Sequence, residues 1–578
     1  MVDWGRNRAL QTASISTVTV SFETVILVLV GLYVCLFAVL PLGRLLGEAF
    51  SASPNGEFLG TLAEQWRNAA TRRAFWHTLE VSALSVLVSL AIGVGSALIL
   101  VLTDVRAKTA ASFALMLPLL VPPQITALAW VELLAPSGPL LSLIGMTAEP
   151  GVTNPLYSRE GIALVMGIEH APLVFLALRA GLAAVPADLI ESARLAGAAP
   201  LRALGAIILP LVAPALLAGA ALAFVSSIAN FGTPAVLGIP GRYPVLTTLI
   251  YQRLQGFGPR VLGQTAALSL ILALLAIAGL ALRAWLASRS AAKVDLGTQR
   301  FSGFTLERWR GPASILLWIA LAFISILPLL ALVGASVSKA VGVPLDWTTA
   351  TLDHYKLVLW NDAVRRAFLN SFLLASGTAL VTVAAAVPLA YLAVVRRNPV
   401  ARFLDLVADL PYSVPGTVLS IGMILVLLRP LPILGISLYG TLAILFCAYF
   451  ARFLALGLRP VMAGTELFDR ALDEAGQMAG AGVLERLRFI VLPVIVPSAA
   501  AGALLVFMAA FNELTVSALL WSSGNETVGV SVFLFHYEGN SPAADALASL
   551  SLFMTLGLAL SVSILGRYLP EGAVPWRA

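Results

Sequence analysis

The chain of 578 residues contains 59% hydrophobic and only 11% charged residues, whereas a soluble globular domain has about 25% charged residues. This composition excludes an ordinary soluble protein and indicates an integral membrane protein with many spans. The net charge of +6 does not indicate nucleic-acid binding, because the Lys and Arg residues are scattered over short loops, as the positive-inside rule leads one to expect.

The amino-terminal part of the chain predicts an uncleaved first membrane helix. The first 20 residues are polar and include Arg6 and Arg8. The apolar run that follows them is too long for the core of a signal peptide. The two cysteines, Cys35 and Cys447, both lie in apolar runs, so a disulfide framework is not expected.

Apolar runs recur along the whole chain and predict about twelve membrane-spanning helices when they are read with a window of about 19 residues. Proline and glycine inside several runs are compatible with membrane helices, because neighbouring groups can satisfy the freed backbone atoms. The expected fold is an all-α membrane protein. The predicted spans are 24–46, 78–103, 110–134, 160–182, 206–229 and 262–285, followed by 313–337, 369–394, 405–428, 439–460, 490–512 and 545–566.

The distribution of basic residues predicts that both chain termini face the cytoplasm. In that orientation 22 of the 36 Lys and Arg residues fall in cytoplasmic segments, as the positive-inside rule requires. The segment 513–544 has no Lys or Arg and is expected to lie outside. The Arg-rich segment 286–312 is expected to be cytoplasmic.

The chain is predicted to be a duplication of one six-helix unit. The sequence Arg-Arg-Ala-Phe at 72–75 recurs at 365–368. Both copies have the same predicted topology, so the repeat is parallel. We expect a first half at 1–285, a linker at 286–312 and a second half at 313–578. Further matched positions are Pro118, Pro122, Glu191, Gly197 and Pro210 in the first half, and Pro411, Pro415, Glu474, Gly480 and Pro493 in the second.

Each half has one polar, glycine-containing segment between its fourth and fifth predicted spans. These segments read ESARLAGAAPLRALGAIILP at 191–210 and EAGQMAGAGVLERLRFIVLP at 474–493. The pattern predicts a short helix that ends at a glycine with positive φ. A second short amphipathic helix and a proline in the first turn of the next span follow. A charged helix at the membrane face is suited to binding a soluble partner.

The pattern Glu-Ala-Ala, three residues, Gly, nine residues, Ile-x-Leu-Pro resembles the cytoplasmic loop of binding-protein-dependent ABC importer permeases. The resemblance implies the type I ABC importer permease fold, with each loop forming a coupling helix that docks on an ATP-binding subunit. Two departures, Ser192 and Gly476, are both small residues. The residues to which the coupling role carries over are Glu191, Ala193, Gly197, Pro210, Glu474, Ala475, Gly480 and Pro493.

The fused two-half architecture resembles the ferric-iron type of these permeases, and less closely the thiamine type. The segments 231–255 and 511–533 look like the external segments of the iron type. The resemblance implies a bacterial inner-membrane location, a periplasmic binding protein, and two copies of an ATP-binding subunit docked at the coupling loops 186–204 and 469–487. Ferric iron is the first substrate hypothesis; thiamine, polyamines, phosphonates and sugar phosphates remain open.

The sequence contains no sign of an enzyme. A phosphate-binding loop needs a Gly-Lys pair, and none of the four lysines follows a glycine. ATP and Mg²⁺ are therefore expected on a separate subunit, and no cofactor is expected on this chain. A membrane-embedded enzyme is not indicated, because the sequence has no catalytic motif. The main alternative is a secondary transporter, which would need no ATPase.

Ionisable and polar residues in the spans are candidates for the substrate pathway, because charges in a membrane are costly. Glu132, Glu169 and His170 lie in the third and fourth spans, and Arg452 is equivalent to Glu169 in the second half. One alignment allows a Glu169–Arg452 ion pair between the halves, and His170 could bind a metal. The alternative for each residue is an interhelical hydrogen bond. At the outer end of the fifth span of each half the candidates are Asn230, Asn512 and Glu513, where a carboxylate would attract a cation.

Overall fold

The structure is a computed structural model that describes residues 22–50, 59–136, 138, 152–289, 303–343, 345–431 and 435–565. Residues 290–302 of the predicted linker 286–312 and both chain termini lie outside these residues. The described residues form helices and two isolated β-bridges, with no β-strand among them. The prediction of an all-α fold is therefore confirmed.

The helices of the first half begin with a long apolar helix, and the last of them runs four residues into the predicted linker 286–312. Several include a single π-helical turn, and those turns are counted within the helix. They are α1 (Glu23–Ala49), α2 (Gly60–Arg67), α3 (Ala69–Leu102), α4 (Lys108–Leu120), α5 (Pro123–Leu133), α6 (Arg159–Ala183), α7 (Ala187–Leu195), α8 (Pro200–Ala229), α9 (Leu246–Leu254) and α10 (Val261–Arg289).

The helices of the second half repeat this order with one additional short helix. They are α11 (Glu307–Ser336), α12 (Asp353–Trp360), α13 (Asp362–Val395), α14 (Pro399–Ser413), α15 (Gly416–Leu427), α16 (Leu442–Glu466), α17 (Arg470–Met478), α18 (Val483–Phe511), α19 (Ser517–Leu520), α20 (Val528–Tyr537) and α21 (Ser541–Leu565).

Within the described residues, ten helices are long and apolar enough to cross a membrane, and two further helix pairs are sharply bent. The bent pairs, α4 with α5 and α14 with α15, each turn by 105°. They occupy the predicted third spans, 110–134 and 405–428. If each bent pair crosses the membrane as one broken span, the described residues contain twelve spans, in agreement with the predicted number of about twelve.

The bends have the same cause in both halves. Pro122 and Pro415 stand at the break, and the residues before them, Val121 and Val414, have extended backbone with φ of −83° and −86°. Proline cannot donate the helical hydrogen bond, and it disfavours a helical conformation in the residue before it. The helix therefore stops, and a new one starts in another direction.

The first helix of each half packs on the other half. In α1, the Tyr33 hydroxyl donates to the backbone carbonyl of Phe450 in α16 at 2.8 Å, and the two rings are 4.1 Å apart. In α11, the Phe323 ring lies edge-on to Trp130 of α5 at 5.8 Å. The two halves are therefore interlocked.

An aromatic and polar contact joins the halves at the centre of the largest buried cluster. The rings of Phe231 and Tyr251 lie 6.0 and 5.6 Å from that of Phe533 in α20. Beside them, the Gln124 amide donates to the backbone carbonyl of Asn512 at 3.1 Å. The interior of the molecule is thus closed at this level by side chains from both halves.

Close helix packing depends on glycine in α3. A Cβ atom at Gly93 would lie 2.7 Å from Cβ of Val174 and 2.8 Å from the carbonyl oxygen of Ala171, both in α6. Gly95, two residues later on the same helix, has open space at its Cβ position. Small residues at such crossings allow membrane helices to approach closely.

Gly93→Val is expected to destabilise the protein by about 1–3 kcal/mol, because the added methyl groups must push α3 and α6 apart. The yield of monodisperse protein in size-exclusion chromatography and the thermal unfolding midpoint should both fall. Gly95→Val is the matched control and should behave like the wild type. Equal loss in the two variants would show that valine itself, rather than the helix crossing, is responsible.

Candidate functional site

The first candidate coupling loop follows α6 and has the predicted helix–glycine–helix form. Helix α7 ends at Leu195, and Gly197 adopts φ of +81°. The amide of Ala198 donates to the carbonyl of Ala193 at 2.9 Å, which closes the end of the helix. This is the glycine C-terminal motif expected from the sequence.

The second loop has the same geometry. Helix α17 begins with an Asp469 side chain that accepts from the amide of Ala471 at 2.9 Å. Gly480 has φ of +83°, and the amide of Ala481 donates to the carbonyl of Gly476 at 3.0 Å. The two loops are therefore repeated elements in structure as well as in sequence.

The prolines after the loops lie in the first turn of α-helical segments that begin at Leu209 and Leu492, as the sequence predicted. Pro210 and Pro493 lie inside α8 and α18, which already start at Pro200 and Val483. A π-helical turn, 204–208 or 487–491, precedes each proline. Such a turn shifts the hydrogen-bond pattern, so the missing N–H of proline is accommodated without ending the helix.

Each loop exposes apolar side chains at matched positions. Leu195 and Met478, 283 residues apart, have 91% and 89% of their surface exposed. Glu191 and Glu474 are also exposed. Contiguous exposed apolar groups on a soluble-facing surface indicate a binding site. The same correspondence holds for the pairs Leu189 with Leu472 and Leu201 with Leu484, all exposed.

At the end of α8 away from the first loop, Glu169 is buried, and each of its carboxylate oxygens accepts a hydrogen bond from its own half. The Asn230 amide donates to Glu169 Oε2 at 2.8 Å, and the Thr233 hydroxyl donates to Glu169 Oε1. The amide N–H of Thr233 donates to Asn230 Oδ1 at 3.2 Å. Glu169 and Asn230 thus fix the turn at the carboxyl-terminal end of α8.

His170 takes part in a hydroxyl network. Its Nδ1 lies 3.1 Å from the Ser227 hydroxyl, which lies 2.7 Å from that of Ser85. The described part of the chain has no group of three or more His, Cys, Asp or Glu side chains placed to hold a metal ion. The contacts of His170 are those of an interhelical hydrogen bond.

In the second half, Glu513 fixes the corresponding turn. Its carboxylate accepts from the amides of Val516 at 2.9 Å and Ser517 at 3.1 Å, at the start of α19. The Arg452 guanidinium lies close by, and burial raises the pKa of Glu513 against the opposing effects of Arg452 and these amides. This geometry favours a bracing role over the attraction of a cation.

The suggested Glu169–Arg452 ion pair does not form. The two residues occupy matched positions in α6 and α16, and each faces the end of the fifth span of its own half. A Cβ on Gly416 would lie only 2.7 Å from a terminal nitrogen of Arg452, so this glycine makes room for the guanidinium. Both halves therefore have a charged side chain at this position, but it is a glutamate in the first half and an arginine in the second.

Asn512 and Glu132 each have polar neighbours in α21. The side chain of Asn512 accepts from the Ser551 hydroxyl and donates to that of Thr555 at 3.0 Å, which ties α18 to α21. The carboxylate of Glu132, near the end of α5, interacts electrostatically with buried Asp545 of α21.

Gln124, the residue that bonds to the Asn512 carbonyl across the halves, was missed by sequence reasoning. The available signal was its place directly after Pro122 and Pro123 in the repeated proline segment.

Together, a bundle of membrane helices in two interlocked halves and a matched pair of loops with exposed apolar side chains define a polytopic membrane protein built from two repeated units. The chain belongs to the family described as "Binding-protein-dependent transport system inner membrane component", which it matches twice, at residues 89–291 and 380–572. The predicted internal duplication and the resemblance to ABC importer permeases are thereby confirmed. The chain is the membrane-embedded transport subunit of such an importer.

Several characterised or named relatives resemble the chain over different lengths. It is 26% identical over 554 residues to the probable ABC transporter permease protein y4fN of Sinorhizobium fredii, covering 93% of this chain and 94% of that protein. It is 25% identical to the ferric transport system permease protein FbpB of Actinobacillus pleuropneumoniae, covering 77% and 64%. The molybdenum transport system permease protein ModB of Escherichia coli is 31% identical over 221 residues, which is 36% of this chain.

Proposed function

We propose that this chain alone forms the transmembrane pathway of an ABC importer of ferric iron. One half supplies each wall of the pathway, and one copy of an ATP-binding subunit docks at each coupling loop. A periplasmic binding protein delivers the substrate at the opposite end. ATP and Mg²⁺ act on the ATP-binding subunits, because this sequence contains no phosphate-binding loop.

The observation that carries the docking proposal is the repeated set of exposed apolar side chains on the two loops. An apolar residue such as Leu195, with 91% of its surface exposed outside the spans, is stabilised when a protein partner covers it. The set occurs once in each half, which supports two docking positions. ATP-driven approach of the two docked subunits would then move α6 and α16 relative to each other.

The choice of iron is supported by the relatives. Ferric transport permeases match at 25% and 26% identity over 77% and 70% of this chain, and so include both halves; the molybdenum relative matches 36% of this chain and 90% of its own length at 31% identity. At this identity the relatives support iron without excluding another solute. The hydrogen bonds of Glu169 and Glu513 are made within the chain, so these two carboxylates do not favour one solute over another.

The substrate proposal predicts that Fe³⁺-loaded binding protein, encoded beside this chain, stimulates ATP hydrolysis severalfold by the complex in liposomes. The unloaded binding protein should stimulate ATP hydrolysis much less, because only the loaded form presents the closed surface that the importer recognises. Iron accumulation inside the liposomes provides a second measurement. Stimulation by the binding protein loaded with molybdate, thiamine or a sugar phosphate, but not with Fe³⁺, would assign a different substrate.

A further inference from the structure

The two coupling loops are attached to the membrane helices in different ways. In the second loop, Arg486 donates to Asp473 at 3.0 Å, and both side chains are buried with 4–5% of their surface exposed. The hydroxyl of Tyr391 in α13 donates to the same aspartate at 2.8 Å. Asp473 on α17 is thereby joined to α18 and to a membrane helix of the bundle.

Further polar contacts extend this attachment. Arg470 of α17 donates to the backbone carbonyl of Val394 at 2.9 Å. Arg396, just after α13, donates to Gln477 of α17 at 3.4 Å and to Glu23 of α1 at 3.2 Å. The second loop is therefore connected by directional bonds to α13 and, through Arg396, to the first helix of the chain.

The first loop has apolar residues at the matched positions. Ile190 and Ala203, 283 residues before Asp473 and Arg486, are buried with 0% and 1% of their surface exposed. Among the described residues, no side-chain hydrogen bond or ion pair joins 187–203 to a spanning helix. The first loop is attached by apolar contacts alone.

A pocket of about 140 Å³ lies beneath the first loop. At the place that matches one of its wall residues, Val185, the second loop carries Phe468, which is buried with 5% of its surface exposed. The larger ring of Phe468 and the Asp473–Arg486 ion pair stand in the second loop at the positions that Val185, Ile190 and Ala203 hold in the first. The pocket walls include Val101, Leu102, Leu182, Val185, Ile190 and Ile208.

We infer that the two coupling loops are mechanically unequal: the second moves as one body with α13, whereas the first can shift against its supporting helices. Apolar contacts over unfilled space have no directional bonds to break, but separating a buried ion pair strands a charge in an apolar site. This inference rests on the proposed docking of ATP-binding subunits. The movement of a docked subunit would reach the pathway mainly through the second loop.

Hydrogen exchange on the unmodified complex, in nanodiscs without nucleotide, tests the inference without any substitution. Amides of 187–195 are expected to exchange faster than those of 470–478, because local opening there breaks fewer bonds. Val185→Phe, which copies Phe468 into the pocket, should slow exchange in 187–195 only. Equal protection of the two helices, or greater protection of the first, would overturn the inference.

The functional consequence is tested by Asp473→Ile combined with Arg486→Ala, which copies the first loop into the second. Solute imported per ATP hydrolysed is expected to fall at least about fivefold, the lower end of typical coupling between linked sites, while the ATP-binding subunit still co-purifies. Ile190→Val is the control in the first loop and should leave this ratio unchanged. A wild-type ratio in the double variant contradicts the inference.

Failure of the docking proposal gives a different experimental result from failure of the inference about unequal loops. If no ATP-binding subunit co-purifies with the unmodified chain, docking at these loops is wrong, and the unequal hydrogen exchange of the loops is still measurable. If docking holds and exchange is equal, only the inference about unequal loops falls.

Discussion

Replacing Leu195 and Met478 together by aspartate is expected to abolish association with the ATP-binding subunit and leave membrane insertion unchanged. These side chains have 91% and 89% of their surface exposed. The substitutions should therefore change the free energy of unfolding of the chain itself by no more than about 0.5 kcal/mol. In the docked complex each aspartate would be an unpaired charge in an apolar contact. A central apolar contact in an interface contributes about 2 kcal/mol or more, which makes each loop of the double variant bind its subunit at least about thirtyfold more weakly.

Co-purification of the ATP-binding subunit with a tagged chain measures this effect. Leu352→Asp is the matched control, because Leu352 is also exposed, at 62%, but lies in the segment that leads into α12 at the other end of the bundle. It should retain the subunit. Each single variant should lose part of the bound subunit, because two loops bind independently. Full recovery of the subunit with the double variant would exclude these loops as the docking sites.

Hydropathy predicted the number and approximate positions of the spanning helices because the bilayer demands about 20 apolar residues for each helix. It did not predict the two 105° bends. An apolar run has the same composition whether it is straight or bent, and proline is tolerated in many continuous membrane helices. The continuous passage of α8 through Pro210 and the break at Pro122 show that proline alone does not decide the outcome.

The loops were predictable because their signals are local. A glycine at a helix end, as at Gly197 and Gly480, needs only its neighbours to explain its positive φ. The partners of Glu169 and Arg452 were not predictable in this way, because they depend on the rotation of α6 and α16 about their axes. The difference between Ile190 and Asp473 is visible when the two copies are aligned at an offset of 283, but its meaning depends on the contact with Tyr391.

The two charged positions of the second half offer the other large expected effect. Arg452→Leu removes the cation beside Glu513, whose side chain is buried with 8% of the residue surface exposed. Breaking a direct buried ion pair costs about 3–5 kcal/mol. We expect a loss below that range, because Arg452 is only half-buried and no direct ion pair joins it to Glu513 among the described residues. The yield of folded protein and the thermal unfolding midpoint should both fall markedly.

Combining Arg452→Leu with Glu513→Gln should recover part of this loss, because the stranded carboxylate becomes neutral. The recovery stays incomplete, since a glutamine side-chain oxygen replaces only one of the two carboxylate oxygens that accept from the amides of Val516 and Ser517. Glu169→Gln, at the position matched to Arg452 in the first half, is the control. Glu169→Gln should lower the unfolding midpoint less than Arg452→Leu does, because the hydrogen-bond donors to Glu169 are the neutral side chains of Asn230 and Thr233.

Thermal unfolding of the purified variants and import per inserted molecule together separate stability from transport. If Glu513 acts as a brace, Glu513→Gln alone lowers the midpoint while each folded molecule imports at the wild-type rate. A midpoint like that of the wild type combined with slow iron import would instead assign Glu513 to the substrate pathway. A double variant less stable than Arg452→Leu would show that the two charges do not stabilise each other, because neutralising Glu513 would then have removed only its hydrogen bonds to the amides at the start of α19.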